Sequence, residues 1–322
     1  MTFVQFYSII EIKKGSDEIV NSIYVYGVAL VPGSGKTYLA KRAAEPYDLV
    51  LDSDEIRQEV WGDPSIQDDP ARIFNIMYQR TREALKEERS VFYVATNISM
   101  KRRIALLKQL KKQFPDVIYR CVCVIAPLDV CYRRNDARER VVPHEVIDRM
   151  ARQFDPPCES EGWDTIDIVR NYYDDETTIY FDECKKNYQM YYLQKVKEYG
   201  SQKNSHHSLS LYEHCDECAR NAIMDGASRD ICHAAGIHDF GKLYTQVYWE
   251  KDSYSEAHYP LHAELGSYLA LIMGYPLHVA QLVRFHMVCY MDTAAQKTWR
   301  KRMGEKLWSE VVRLHQYDEA AH

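Results

Sequence analysis

A strand, a glycine-rich loop and a helix follow one another near the start of this 322-residue chain, and their succession most constrains its fold. Residues 22–30 form a nearly continuous run of apolar, β-branched and aromatic residues, which predicts a buried strand. The loop at 30–37 reads LVPGSGKT, and residues 37–44 have the composition of a helix. A buried strand that enters such a loop before a helix is typical of parallel α/β sheets.

The rest of the chain divides into two parts near residue 200. Further strands are predicted over 48–52, 90–95, 117–125 and 178–181, and the helical stretches 73–86, 101–112 and 143–153 alternate with them. Residues 198–205 form a polar, glycine-containing linker, and amphipathic helical periodicity continues beyond it. We therefore predict an α/β domain over 1–198, with a parallel sheet covered by helices, and an all-α domain over 199–322.

The glycine-rich loop has the residues of a phosphate-binding loop. Glycines let backbone N–H groups crowd around phosphates, a lysine reaches the β and γ oxygens, and a hydroxyl residue holds magnesium. The candidate nucleotide-binding residues are Gly33, Ser34, Gly35, Lys36 and Thr37, with ATP and Mg²⁺ as the expected ligands. Leu30 stands where this pattern usually has its first glycine, so turnover by the loop is an open question.

A second polar segment follows the second predicted strand, at the edge where α/β sheets bind ligands. Asp54 and Arg57 lie three positions apart and face the same way on a helical turn. The carboxylate can take a proton from an attacking hydroxyl, and the guanidinium can bind a neighbouring phosphate. The alternative is a helix N-cap with an ordinary ion pair. Arg134 and Arg138 are candidates for a lid over the γ-phosphate, although a solvated helix has the same pattern.

Residues 23–164 resemble the polynucleotide 5′-kinase branch of the P-loop kinases. The resemblance rests on the glycine loop, SDEIR at 53–57, ATN at 95–97, Arg134 with Arg138, VP at 142–143 and FDPP at 154–157. It implies that Asp54 is the general base and that Arg57 binds the substrate phosphate. The same resemblance implies that Arg134 and Arg138 contact ATP. Relatives carry an aspartate before the Thr-Asn pair where this chain has Val94 and Ala95, and related kinases act on small molecules or aminoacyl-tRNA.

The C-terminal part carries a histidine and aspartate pattern of a different kind. His238 and Asp239 are adjacent, and small residues with Gly241 around them permit both side chains to reach one metal. Further candidate ligands follow in chain order: His214, His262, His286 and Asp318. Histidine and carboxylate ligands without thiolate favour Mn, Fe, Co, Ni or Mg over a structural zinc. Two metals sharing Asp239 supply a nucleophile for phosphoester hydrolysis at neutral pH.

Residues 204–321 resemble the HD-domain phosphohydrolases. The doublet with Gly241 and Lys242, and YDEA at 317–320, are the motifs that carry the resemblance. It implies core metal ligands at His214, His238, Asp239 and Asp318, and second-metal ligands at His262 and His286. It also implies that Lys242 meets the substrate phosphate. His207 is a further candidate two helical turns before His214, whereas surface or core roles are preferred for His233, His258, His278 and His315.

Composition and charge limit the kinds of partner and the cellular environment that we expect for this chain. The net charge of −6 argues against a protein that coats nucleic acid, but residues 101–152 carry 13 Lys and Arg against 6 Asp and Glu. That local basic field suits a polyanionic substrate, or equally a solvated helix face. The nine cysteines suit free thiols in a reducing cytoplasm, and the pair Cys215 and Cys218 has no second pair beside it. We find neither a membrane span nor the features of a signal peptide, and the oligomeric state stays open.

Three hypotheses follow. The first is a bifunctional end-healing enzyme that phosphorylates 5′-hydroxyl ends of RNA or DNA and removes 2′,3′-cyclic phosphates or 3′-phosphates; RNA-repair fusions of these two modules occur in the resembling family. The second is a small-molecule or nucleoside kinase joined to a nucleotidase. The third is a regulatory module in which the altered loop at Leu30 binds a nucleotide without turnover.

Overall fold

The computed structural model describes residues 23–172, 181–203, 208–252 and 254–321. Within these residues, contacts divide the chain into two compact units. Unit 1 comprises residues 23–147 and 157–172, and unit 2 comprises residues 148–156 and the described residues from 181 onwards. The helix Phe181–Tyr199 belongs to unit 2 in this division, whereas the sequence-based boundary at residue 198 assigns nearly all of it to the N-terminal domain.

Unit 1 is built on a five-stranded sheet in the order β2-β3-β1-β4-β5, and all four pairings are parallel. Its strands are β1 (Tyr24–Ala29), β2 (Leu49–Asp52), β3 (Val91–Val94), β4 (Ile118–Ile125) and β5 (Thr165–Arg170). The helices that alternate with them are α1 (Lys36–Ala43), α2 (Ser53–Trp61), α3 (Pro70–Lys86), α4 (Met100–Gln113) and α5 (Leu128–Asp136), followed by α6 (His144–Ala151). The parallel α/β prediction is confirmed, and the carboxyl ends of the strands share one edge.

The core of unit 1 lies between the sheet and α1. Its buried members are apolar residues of four strands and the helix: Tyr26, Val28, Leu39, Ala40, Phe92, Val94, Val122, Val124 and Val169. On the sheet, Trp163 packs against Gly27, where an added Cβ would lie 2.5 Å from the indole ring. A buried, bidentate ion pair joins Arg103 to Glu161 with nitrogen–oxygen distances of 2.7 and 2.6 Å. Arg103 also donates to the Asn97 oxygen at 2.8 Å, so the ion pair is tied to the segment that follows β3.

Unit 2 is helical, as predicted, apart from one short hairpin. Its helices are α7 (Phe181–Tyr199), α8 (Leu211–Met224), α9 (Arg229–Ile237), α10 (His262–Ile272), α11 (Leu277–Phe285), α12 (Thr293–Met303) and α13 (Glu305–Glu319). Strands β6 (Val247–Tyr248) and β7 (Ala257–His258) pair antiparallel. All residues of α10 except Glu264 are buried, so this helix is the centre of the unit.

One strand of the sheet was not predicted, and one predicted strand lies mostly outside the described residues. The described sheet ends with β5, a strand that the sequence analysis did not predict. A strand predicted at 178–181 falls mostly outside the described residues, and Phe181 begins helix α7. Each of the eight described cysteines is a free thiol, in agreement with the expectation of no disulfide framework among them. Over the described ranges, none of the helices is both long and apolar enough to cross a membrane.

Candidate functional site

The phosphate-binding loop connects β1 to α1 and requires its two glycines. Gly33 and Gly35 have φ angles of 84° and 96°, a region that side chains disfavour. A Cβ at Gly33 would lie 2.2 Å from the backbone oxygen of Cys131, and one at Gly35 would lie 2.3 Å from the Asn171 amide. The backbone is therefore folded tightly enough to turn its N–H groups toward a phosphate.

Leu30 enters the loop in an unusual conformation. Its φ of 141° lies in the region that favours glycine, although its side chain is fully buried. Its N–H donates to the Thr96 oxygen at 3.0 Å, and Asn97 donates to the Val28 oxygen at the same distance. The loop therefore keeps its backbone path despite the leucine, because β1 and the Thr-Asn segment after β3 hold it.

Lys36 and Thr37 lie at the start of α1, under the loop. Lys36 Nζ donates to the Val31 oxygen at 2.9 Å, and burial lowers its pKa to about 8. Thr37 Oγ1 donates to Asp52 Oδ2 at 2.5 Å. Asp52 also accepts from the Asp54 N–H at 2.7 Å and caps α2. A hydroxyl and a carboxylate side by side at the sheet edge are the oxygen ligands that Mg²⁺ takes in P-loop proteins.

Asp54 and Arg57 form the pair that the spacing predicted. Arg57 Nη1 donates to Asp54 Oδ1 at 2.7 Å, and Arg140 Nη1 lies 3.4 Å from Asp54 Oδ2. The Asp54 side chain is 54% exposed, whereas that of Arg57 is 8% exposed. Arg57 Nε is buried, and no described residue accepts its proton. A buried cation with an unused donor, beside an accessible carboxylate, is suited to an anionic ligand.

Both predicted lid arginines, Arg134 and Arg138, lie near the phosphate-binding loop. Arg134 donates to the Asn171 backbone and side-chain oxygens at 3.2 and 3.3 Å, and Asn171 Nδ2 donates to the Ser34 oxygen at 2.8 Å. Arg138 is close enough that its positive charge contributes to the lowered pKa of Lys36. The sequence did not single out three residues as binding residues, because each acts on a distant segment: Asn171 and Asp52 contact the loop, and Arg140 contacts Asp54.

In unit 2, six side chains converge from separate elements to form what we call the histidine–aspartate cluster. They are His214 of α8, His238 and Asp239 after α9, His262 of α10, His286 after α11 and Asp318 of α13. All six are buried. The short turn at Phe240–Tyr244 packs on α10 so closely that a Cβ at Gly241 would lie 2.0 Å from the His262 oxygen. This contact brings Asp239 to His262.

Asp239 lies between two groups of ligand atoms. Its Oδ2 is 3.6 Å from Nε2 of both His214 and His238. Its Oδ1 is 3.3 Å from His262 Nε2 and 3.6 Å from His286 Nε2. Asp318 Oδ1 completes the first group, 3.0 Å from His214 Nε2. With metal–ligand bonds of about 2.1 Å, adjacent ligand atoms lie roughly 3.0–3.4 Å apart, so the cluster has the spacing of coordination shells on both sides of Asp239.

The four histidines all point the same nitrogen into the cluster. Each Nδ1 lies 2.7–3.0 Å from a backbone oxygen, on Ala321, Ala235, Tyr259 and Val283 in chain order of the histidines. A carbonyl can only accept, so Nδ1 carries the proton and a neutral ring turns the Nε2 lone pair inward. Nε2 atoms of His214 and His238 are 3.2 Å apart, as are those of His262 and His286. In each pair the Nε2 lone pairs of neutral rings would face each other, an arrangement suited to a cation bound between them.

Charge and burial act in opposite directions within the cluster. Burial alone would lower the pKa of His238, but the carboxylates of Asp239 and Asp318 outweigh it and raise that pKa to about 9. Without a metal its Nε2 therefore holds a proton, which a bound cation would displace. Burial lowers the pKa of His262 to about 3. The pKa of Asp239 is held well below its usual range: burial would raise it, and the Lys242 ammonium and the histidines outweigh that effect. These carboxylates are ionised and available to a metal.

Two further side chains hold the carboxylates. Lys242 Nζ lies 2.6 Å from Asp239 Oδ2 and donates to Gln202 Oε1 at 2.7 Å. Tyr290 donates to Asp318 Oδ2 at 3.0 Å, which leaves Oδ1 facing the histidines. Tyr290 and Gln202 carry no local sequence signal, since neither stands in a recognisable motif.

Four further described histidines and the cysteine pair lie outside the cluster. His258 stacks on Trp249, His278 pairs with Glu310 at 2.9 Å, and His315 lies 3.5 Å from Glu319. His233 packs against Tyr275. Burial raises the pKa of the thiols Cys215 and Cys218, so both are protonated and unsuited to a metal. His207 lies outside the described residues.

Comparison with known proteins places the N-terminal unit among kinase relatives. The family model described as AAA domain matches residues 31–157. An L-seryl-tRNA(Sec) kinase of Methanococcus maripaludis is 34% identical over 88 residues, which cover 27% of this chain and 34% of that protein. This chain thus spans about a third of that relative. A gluconokinase structure from Sinorhizobium meliloti 1021 has 16% identity and a TM-score of 0.33, covering 47% of this chain and 82% of that one.

The family match falls on the region that contains the glycine loop and the residues around it. It extends from Val31, just before the first loop glycine, to the FDPP segment at 154–157. The parallel sheet, the loop geometry and the seryl-tRNA(Sec) kinase relative agree with that match. The N-terminal unit is therefore a P-loop domain with a kinase-like parallel sheet.

Proposed function

We propose that this chain is a bifunctional nucleic-acid end-healing enzyme that acts in the cytoplasm. Unit 1 transfers phosphate from ATP to the 5′-hydroxyl of an RNA or DNA end. Unit 2 hydrolyses a 2′,3′-cyclic phosphate or a 3′-phosphate. The observation that carries the proposal is the presence of two separate sets of phosphate-handling groups, one around Lys36 and one around Asp239.

In the kinase, the loop and α1 bind the nucleotide. Backbone N–H groups at Gly33–Gly35 and the ammonium of Lys36 neutralise the phosphates, and Arg134 and Arg138 close over them. Thr37 and Asp52 would hold the Mg²⁺ that accompanies the nucleotide, because their oxygens already lie together. These groups provide the positive charge that phosphoryl transfer requires.

On the acceptor side, Asp54 takes the proton of the attacking hydroxyl. Its exposure leaves it accessible to an incoming end, while the hydrogen bond from Arg57 orients the carboxylate. The buried Nε of Arg57, for which the described residues offer no acceptor, binds the phosphate next to the end that is phosphorylated. Such a phosphate exists in a polynucleotide or a 3′-nucleotide but not in a nucleoside.

In unit 2, divalent metals held by the cluster supply Lewis acidity and an activated water for phosphoester hydrolysis. His214, His238 and Asp318 would hold one ion, and Asp239 and His286, with His262 beside them, would hold another. Lys242 binds a phosphate oxygen of the substrate next to the ions. The donor set of imidazoles and carboxylates favours Mn, Co, Ni or Fe, and all its members are preoriented by backbone hydrogen bonds.

A second candidate acceptor for the kinase is supported by one comparison. The relative that is 34% identical over 88 residues is an L-seryl-tRNA(Sec) kinase, which indicates an acceptor hydroxyl other than a 5′ end. A small-molecule or nucleoside kinase joined to a nucleotidase belongs to the same alternative. Under this alternative, unit 1 still binds ATP, and only the molecule that accepts the phosphate differs.

A substrate panel tests the proposal. Labelled ATP is offered to the full-length protein with a 5′-hydroxyl oligonucleotide, a 3′-nucleotide, a nucleoside and a seryl-tRNA. In parallel, metal-free protein is reloaded with Mn, Co or Ni and given an oligonucleotide with a 2′,3′-cyclic phosphate, one with a 3′-phosphate, and a nucleoside monophosphate. We expect labelling of the 5′-hydroxyl oligonucleotide and metal-dependent hydrolysis of the two oligonucleotide ends.

Two results would overturn the proposal. Labelling confined to the nucleoside or the seryl-tRNA would move the kinase to the second candidate. Hydrolysis of the free monophosphate without hydrolysis of either oligonucleotide would make unit 2 a nucleotidase. The protein reloaded with Mg²⁺ alone serves as the control for the metal requirement.

A further inference from the structure

The inference concerns Gln202, a residue beside the histidine–aspartate cluster that carries a buried, unused hydrogen-bond donor. Its side chain is 2% exposed, and its Nε2 has no hydrogen-bond partner among the described residues. Buried amide donors in native proteins nearly always have a partner, so an orphaned one marks a place where a ligand or a water completes the structure.

The orientation of this amide is determined by its neighbour. Lys242 Nζ donates to Gln202 Oε1 at 2.7 Å, and an ammonium can pair only with the carbonyl oxygen of an amide. Nε2 is therefore the free end. Lys242 is itself held 2.6 Å from Asp239 Oδ2, so the amide, the ammonium and the shared carboxylate form one continuous row.

The backbone around Gln202 is fastened on both sides. The Gly200 oxygen accepts from the Leu211 N–H at 3.0 Å, at the start of α8, and the Lys203 oxygen accepts from the Ala257 N–H at 2.8 Å, in β7. With the backbone fixed, turning the side-chain amide to solvent would break the hydrogen bond that Oε1 accepts from Lys242. The donor is thus preorganised, as groups that bind a substrate oxyanion are.

We propose that Gln202 is a substrate-binding residue of unit 2, whose Nε2 donates to a non-bridging phosphate oxygen next to Lys242. The ligand class is a phosphate monoester, a phosphodiester or inorganic phosphate, since all share those oxygens. Lys242 supplies charge and Gln202 supplies direction, because the hydrogen bond from Lys242 fixes the planar amide. This inference rests on the proposed phosphoester hydrolysis by unit 2.

The test is the binding of inorganic phosphate to full-length, metal-loaded protein, measured by calorimetry. Hydrogen bonds to charged groups are strong enough that Gln202→Met should weaken phosphate binding about tenfold or more. Gln202→Glu, which keeps an acceptor for Lys242 but places a negative charge at the donor position, should weaken it further. Both variants should keep the wild-type metal content.

Gln246→Met is the matched control. Gln246 belongs to the same unit, but its amide is fully partnered, by Tyr199 at Oε1 and by Tyr248 at Nε2. It should bind phosphate like the wild type. With a phosphoester substrate, Gln202→Met should raise KM and the inhibition constant of phosphate more than it lowers kcat.

Each contrary outcome has one meaning. Unchanged phosphate affinity in Gln202→Met at full metal content overturns the inference and assigns the donor to a water. Loss of metal in both Gln202 variants also overturns it, in favour of a structural role. If the metal-loaded wild type neither binds phosphate nor hydrolyses a phosphoester, the proposed function of unit 2 itself fails.

Discussion

Gly241→Ala should disrupt the histidine–aspartate cluster although it removes no ligand. The added Cβ would lie 2.0 Å from the His262 oxygen and 2.8 Å from the Gly266 nitrogen. Both are backbone atoms, so no side-chain rotation relieves the clash, and the turn must separate from α10 by roughly an ångström or more. Overpacking in a close-packed interior costs about 1–3 kcal/mol, and we expect about 3 kcal/mol or more here.

Gly241→Ala should reduce metal binding as well as the stability of unit 2. A shift of the turn lengthens the 3.3 Å contact between His262 Nε2 and Asp239 Oδ1, so the second group of ligands no longer converges. Urea unfolding of purified protein, followed separately for each unit, gives the stability change. Metal content measured by mass spectrometry gives the change at the site, and the kinase serves as an internal control.

Gly236→Ala is the matched substitution. Gly236 lies within α9, two residues before His238, and a Cβ there would be 3.6 Å from the Ala219 side chain, an ordinary contact. Since alanine favours a helix over glycine by about 0.5–1 kcal/mol, this variant should be as stable as the wild type or more so. Wild-type stability and metal content in Gly241→Ala would refute the reasoning.

Three further predictions concern unit 1. Asp54→Ala should lower kinase turnover by about 10²–10⁴-fold while ATP affinity stays nearly unchanged; wild-type turnover would place the base elsewhere. Arg57→Ala should raise KM for an oligonucleotide more than for ATP or a nucleoside, and equal effects on both acceptors would favour a small-molecule kinase. ATP affinity, measured by calorimetry, should be constant below the Lys36 pKa of about 8 and fall above it, because the phosphates favour the protonated amine; a flat profile to pH 9.5 would contradict this.

Sequence patterns predicted the parts of the fold that depend on local hydrophobicity. The first four strands are near-continuous apolar runs, and their observed bounds differ from the predicted ones by a residue or two. Strand β5 was missed because it is a partly exposed edge strand and not a continuous apolar run, although the alternation in TIDIVR is itself a strand pattern. The β6–β7 hairpin was missed because each strand has only two residues.

The candidate site shows the same division between local and long-range information. The loop glycines and the cluster ligands stand in motifs, so their identities and spacing were available from the sequence, although their roles remain proposals. Asp52, Asn171, Tyr290 and Gln202 act through contacts between distant segments, such as the 137 positions that separate Asn171 from Ser34. A single sequence carries no record of those contacts.

Leu30 gives the clearest case of tertiary structure overriding a local rule. A leucine is unfavourable at a φ of 141°, and such strain costs about 1–3 kcal/mol. The side chain is completely buried, and burial of a leucine contributes about 1.5–3 kcal/mol. The two effects are of similar size, which explains in physical terms how the loop retains its path without the first glycine.

The central claim, two independent phosphate sites in one chain, is tested most directly by measuring both activities in two variants. Asp239→Ala removes the carboxylate that both ligand groups share, so metal-dependent phosphoester hydrolysis should be lost while kinase activity remains. Lys36→Ala should do the reverse. If Asp239→Ala also abolishes the kinase of a correctly folded protein, or if Lys36→Ala abolishes the hydrolysis, the account of two independent sites is wrong.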